Sequence, residues 1–194
     1  MHKGRLEAFS DGVIAILITI MVLEFSPPRG AALADLLPLL PTFLAYALSF
    51  VFLGIYWNNH HHMLQAARRV NGAVLWANLH LLFWLSLVPF VPAWMGRHCH
   101  DSAPVAAYGV VLLASGSAYF ILSRVLIACH GSESDFARVL GRDLKGLISL
   151  GLYVAAIPSA FLLPVASQAL YVCVAILWLV PDRRFERHLE HERS

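Results

Sequence analysis

The sequence predicts an all-α membrane protein of six transmembrane helices with both termini cytoplasmic, and three observations carry that prediction. The chain of 194 residues is 59% hydrophobic and only 13% charged, with a mean hydropathy of +0.67, too apolar and too poor in charge for a water-soluble domain of this length. Its apolar residues fall into six runs, each near the roughly 20 residues needed to cross a hydrocarbon core of about 30 Å. Its basic residues alternate between the connections. With both termini inside, only Arg29 and Arg97 of the 14 Lys and Arg residues fall outside, while Lys3, Arg5, Arg68, Arg69, Arg124, Arg138, Arg142, Lys145, Arg183, Arg184, Arg187 and Arg193 fall inside. That asymmetry obeys the positive-inside rule and requires an even number of crossings.

Taken in order, the predicted spans cover residues 9–25, 36–57, 73–94, 105–127, 144–163 and 165–180, all within one domain of residues 1–194. Ser26, Pro27, Pro28, Arg29 and Gly30 end the first, because proline lacks the N–H and glycine relaxes the turn. The first run has no small-residue cleavage site and acidic as well as basic residues before it, so it reads as a retained helix. Pro38 falls in the opening turn of the second span, where a proline is tolerated. Residues 95–104 make a polar turn, residues 128–145 the longest hydrophilic connection, and Pro164 a tight hairpin between the last two spans. Trp57, Trp94 and Trp178 near span ends suit interfacial anchoring. No internal repeat is present, which argues against an inverted-repeat transporter.

The net charge of +2 is spread along the chain, which excludes a nucleic-acid footprint. Cys99, Cys129 and Cys173 lack metal or disulfide spacing and read as free thiols. Consecutive His60, His61 and His62 point about 100° apart on a helix and cannot readily close on one ion. His98 and His100, flanking Cys99 before Asp101, read as a polar loop, with weak zinc binding as the other reading. Gly116, between Ser115 and Ser117, reads as a close helix contact. No Ser-His-Asp, Walker or HExxH arrangement supports an enzyme.

The first helix is the informative one. Setting Asp11 at zero and advancing 100° per residue gathers Gly12, Ile16, Thr19 and Leu23 between about 80° and 140°, with Ile20 near 180°. Ser10 and Asp11 turn away from that stripe, toward neighbouring helices. A buried aspartate needs partners, and Asn58, Asn59, His60, Asn78 and His80 are the polar residues within reach. On that reading a polar bracket fixes the angle of the helix. The other reading makes Ser10 or Asp11 an N-cap at a helix start. Thr19, for its part, could simply bond back to the carbonyl of Ala15.

RLEAFSD, with Arg5, Phe9, Ser10 and Asp11, matches the RxxxFSD signature of the transmembrane protein 175 family of lysosomal and prokaryotic potassium channels. YWNNHHHM at residues 56–63 and LWANLHLLFWLSLVPFVP at residues 75–92 look like that family's second and third helices. A chain of one repeat is similar to the prokaryotic members. The resemblance implies a homotetramer in the plasma membrane around a central pore lined by the first helix, with potassium and other monovalent cations as permeant ions and no cofactor. It also implies a constriction at Ile16, further apolar rings at Ile20 and Leu23, and a threonine layer at Thr19. The chain has no TVGYG filter, so potassium selectivity over sodium would be modest and would rest on pore width, partial dehydration and the oxygens of Thr19. Two other functions remain open: a proton-coupled transporter using Asp11 and His80, and a haem or metal protein using His60, His61 or His80.

Overall fold

A computed structural model describes residues 3–28, 30–131 and 143–179. Arg29, Arg138, Arg142, Arg183, Arg184, Arg187 and Arg193 of the topology argument lie outside the described residues, as does most of the long hydrophilic connection. The described residues form seven α-helices and two short 3-10 segments: α1 (Lys3–Ile20), a 3-10 turn (Met21–Glu24), a second (Leu33–Leu39), α2 (Leu40–Ala66), α3 (Gly72–Ser86), α4 (Phe90–Arg97), α5 (Ser102–His130), α6 (Leu144–Ser159) and α7 (Pro164–Leu179).

The largest differences from the predicted boundaries fall in the first three spans. The first helix begins at Lys3, two turns before Phe9, so Ser10 and Asp11 stand inside it and neither is an N-cap. The second helix begins at Leu40 after a 3-10 segment that contains Pro38, and it runs on to Ala66. The third span is broken into α3 and α4 because Pro89 cannot donate to the carbonyl of Leu85. That carbonyl is taken by Val88 N at 3.0 Å instead, in a tightened turn.

Among the described residues, four segments can cross a membrane by length and hydropathy: Lys3–Glu24, Leu33–Ala66, Gly72–Arg97 and Ser102–His130; α6 and α7 are shorter apolar helices. α5 is the central pillar, packing on α3, α4, α6 and α7, while α1 lies at the margin against α2 and α3. Because lipid tails are as apolar as leucine, such helices associate through close packing and hydrogen bonds. A Cβ on Gly96 would collide with the backbone of Thr42, so α4 and α2 meet there nearly backbone to backbone. Gly109 of α5 lies under the hydroxyl of Tyr171, which donates to Val105 O at 2.9 Å. Ser49 and Tyr108 bond at 2.9 Å between α2 and α5. Trp178 turns inward and donates to Ser149 Oγ at 2.8 Å across the α6–α7 hairpin. Ser167 Oγ closes that hairpin on Ala156 O at 2.7 Å.

The two ends of the bundle are distinguishable. Lys3 Nζ donates to Gln65 O at 2.9 Å, setting the start of α1 beside the end of α2. At the same end His130 Nε2, the last residue of α5, accepts from Arg68 N at 2.9 Å and tethers the α2–α3 turn. At the other end Arg97 reaches Glu24 O at 3.3 Å, and Gln168, one turn into α7, donates to Cys99 O at 2.6 Å.

Candidate functional site

α1 has two faces. Leu6, Ser10, Ile14, Leu17 and Met21 are buried against α2 and α3. The opposite face carries Arg5, Phe9, Gly12, Ile16, Thr19, Ile20 and Leu23, all exposed, with Ile16 60% and Leu23 77% accessible. An apolar stripe this open on the marginal helix is either lipid-facing or covered by another chain. The 3-10 turn after Ile20 advances about 120° per residue, not 100°, which rotates Leu23 by about 60° into line with Ile20. The three apolar side chains and Thr19 therefore occupy successive levels of one face.

Thr19 Oγ1 donates to Ile16 O at 2.9 Å, one residue later in the chain than the Ala15 carbonyl expected. With its proton committed to the backbone, the hydroxyl presents its lone pairs outward. It can act as an oxygen ligand.

The buried face contains a polar bracket, with membership different from that expected. Ser10 Oγ donates to Leu6 O at 2.9 Å and accepts from Asn78 Nδ2 at 2.9 Å. Asn78 Oδ1 meets His60 Nε2 at 2.7 Å, and all three side chains are buried. This chain ties α1 to α3 and α3 to α2. Asp11 is not part of it: half-buried at the edge of α1, it accepts from Trp57 Nε1 at 3.1 Å. Asn58 is exposed, Asn59 bonds back to Ile55 O at 2.8 Å, and exposed His80 accepts from Trp84 Nε1 at 3.0 Å on its own helix. Those three stand outside the bracket. Trp57, expected as an interfacial anchor, is instead the partner of Asp11; its signal in the sequence is the indole N–H, a donor with no acceptor capacity.

Phe9 is 52% exposed and Arg5 is exposed on the same stripe. Only Ser10 and Asp11 of the four signature residues therefore make side-chain hydrogen bonds among the described residues. His61 stacks on Trp57 with ring centres 5.9 Å apart. His98 Nδ1 meets Asp101 Oδ2 at 2.9 Å and Cys99 Sγ meets His100 Nδ1 at 3.2 Å, separate pairs that do not converge. Among the described residues no group of three metal-binding side chains is assembled.

A bundle of long apolar helices with its polar groups paired across helix contacts defines an integral membrane protein, and comparison with known proteins gives its family. The family described as "Endosomal/lysosomal potassium channel TMEM175" matches residues 5–89. A potassium channel of Chryseobacterium is 51% identical over 98% of this chain and 99% of its own length. A potassium channel of Chamaesiphon minutus is 38% identical over 58% of this chain and 60% of its own. The human relative, named as an endosomal/lysosomal proton channel, is 34% identical over 38% of this chain and 17% of its own. The crystal structure of a lysosomal potassium-selective channel TMEM175 homologue from Chamaesiphon minutus superposes with a TM-score of 0.79 at 28% identity, over 92% of this chain and 96% of that one. The chain belongs to the TMEM175 family, whose members are ion channels and not enzymes.

Proposed function

We propose that this protein is a potassium-permeable cation channel of the cell membrane, working as a homotetramer whose pore is lined by the exposed stripe of α1. One observation carries the reading: α1 buries Leu6, Ser10, Ile14, Leu17 and Met21 while leaving Ile16, Thr19, Ile20 and Leu23 open along the other side. A single helix offers one narrow face and cannot surround an ion. Fourfold symmetry about that face closes a ring at each level. The bacterial relatives named as potassium channels support the choice of ion.

Ile16 forms the tightest apolar collar, with Ile20 and Leu23 as further rings and Thr19 as the one layer of side-chain oxygens. Potassium sheds water more readily than sodium, so an apolar collar with few ligands favours potassium modestly, and small helix rotations gate it by dewetting. The Ser10–Asn78–His60 bracket and the Asp11–Trp57 bond hold α1 at the angle that presents the stripe.

All six apolar spans, with α3 and α4 together making the third, cross the bilayer as one domain, with both termini cytoplasmic. Every described basic residue except Arg97 belongs to the end of the bundle marked by Lys3, Gln65 and His130 or to the connections reaching it, which supports that orientation. α6 and α7, 16 residues each, rise about 24 Å, and the Gln168–Cys99 bond supports a hairpin that reaches the outer turn.

The test is a reconstituted bilayer recording with potassium on one side and sodium on the other, followed by a proton gradient alone, because the vertebrate relatives are named as proton channels. A reversal potential displaced toward potassium supports the proposal. Current carried by protons only, or saturable flux that requires a proton gradient, rejects it.

A further inference from the structure

On the side of the bundle away from the α1 stripe, a cavity of about 40 Å³ opens between α2, α5, α6 and α7. A buried water needs only about 10–15 Å³ by the same measure, so the cavity has room for a slender group of a few heavy atoms. Its walls are mostly aromatic: Phe52, Tyr56, Tyr119, Phe120, Tyr153 and Trp178. Two of the rings, Tyr56 and Tyr119, meet edge to face with centres 6.2 Å apart. The space exists because Gly116 bears no side chain; a Cβ there would come 3.1 Å from Leu150 Cδ2 and 3.7 Å from the Tyr56 hydroxyl.

The one charged group among the described residues that line this cavity is the carboxylate of Asp143. Asp143 caps α6 by accepting from Gly146 N at 2.9 Å through one carboxylate oxygen, which leaves the other oxygen available. Asn59 spends one of its two amide N–H groups on Ile55 O, and its side-chain carbonyl accepts from no donor among the described residues. The Tyr56 hydroxyl has no partner there either. Ser149 is satisfied, donating to Lys145 O at 2.8 Å and accepting from Trp178. Among the described residues no Lys, Arg or His lines the cavity. Among the described cations, Lys145 lies two residues beyond Asp143 in the chain, and exposed Arg124 holds its guanidinium 4.8 Å from the centre of the Phe120 ring.

From the carboxylate, the unpaired amide oxygen of Asn59 and the aromatic walls, we infer that this cavity binds an alkylammonium group, either a free amine or the amine head of a lipid. Aromatic faces attract cations, and most strongly when water is excluded. A carboxylate and an amide oxygen complete a pocket that an ammonium satisfies with its three donors. A carboxylate ligand would instead meet the like charge of Asp143.

The test is thermal unfolding of the full-length protein in lipid-free detergent with n-butylamine, n-butanol or butyrate. Butylamine should raise the midpoint saturably, while equal concentrations of butanol and butyrate should not. Asp143→Asn keeps a capping oxygen but removes the charge, so it should fold and bind butylamine at least tenfold more weakly. Gly116→Leu fills the cavity from α5 and should abolish the shift. In nanodiscs, loss of the butylamine shift with phosphatidylethanolamine but not with phosphatidylglycerol identifies the lipid amine as occupant; retention in both identifies free amines. Absence of a saturable shift, an equal response to butyrate, or undiminished binding by a folded Asp143→Asn protein overturns the inference.

Discussion

Ser10 is held by a buried hydrogen bond to Asn78, whereas its charged neighbour Asp11 holds only the rim of a tryptophan. The sequence placed both residues on the side of α1 away from the stripe, but charge alone drew attention to Asp11. What decides the matter is rotation: Ser10 lies at the middle of the arc formed by Leu6, Ile14, Leu17 and Met21, and Asp11 lies a further 100° round, at its edge. Ser10→Ala should therefore leave the amide of Asn78 unpaired in the interior and cost about 1–3 kcal/mol of stability. Asn58→Ala, at an exposed position, should cost less than about 0.5 kcal/mol. Denaturation in mild detergent measures both. Asp11→Ala should free the indole of Trp57 and red-shift its emission, while Asp11→Asn, which keeps an acceptor, should not; identical spectra for the two variants would remove Asp11 from its role in fixing α1. His60 and Asn78 were legible as bracket members because each is a polar residue in an apolar run. That Asn58 and His80 stand outside was not legible, since their directions depend on how far α2 and α3 are rotated against α1.

At the scale of elements, apolar run length made α1, α2 and α5 readable, because each is long and interrupted only at its ends. The break between α3 and α4 was signalled by Pro89, yet the residues around it are so apolar that run length outweighed the missing N–H. Helix contacts were less readable than helices. Gly116 stands between two serines and reads as a contact, while Gly96, in a polar-looking turn sequence, makes the closer approach to α2. Adding a methyl group at Gly96 meets backbone, which no rotamer change relieves, so Gly96→Ala should separate α4 from α2 and destabilise by about 1–3 kcal/mol. Gly151→Ala is the control: nothing lies within 4 Å of its added carbon, and the better helix propensity should leave stability unchanged or raise it by up to about 1 kcal/mol. Equal midpoints for the two variants would mean that α2 and α4 can slide apart without loss, contrary to the packing described.

For the whole molecule, the proposed pore rests on the face that a single chain leaves uncovered. No residue pattern states how many copies meet on it; the stripe was legible as a stripe, and its assignment to a pore came from family resemblance. Assembly and selectivity can nevertheless be separated by experiment. Cross-linking in mild detergent should stop at four subunits, and a protein that is only monomeric there would refute the pore geometry. In the proposed ring, Ile16 and Thr19 would lie about 4.5 Å apart along the axis at 1.5 Å rise per residue, so an ion would meet the apolar collar and the hydroxyl layer in succession. Ile16→Asn replaces a collar that excludes water with one that holds it, and should raise current while admitting sodium more readily. Thr19→Val keeps the shape but removes the oxygen whose proton is committed to Ile16 O. Its lone pairs are then lost to the ion, and the potassium-to-sodium permeability ratio should fall without a rise in current. Reversal potentials under bi-ionic conditions distinguish the two cases. An unchanged reversal potential in Thr19→Val would assign discrimination to the Ile16 collar alone and leave the threonine as a helix-packing residue.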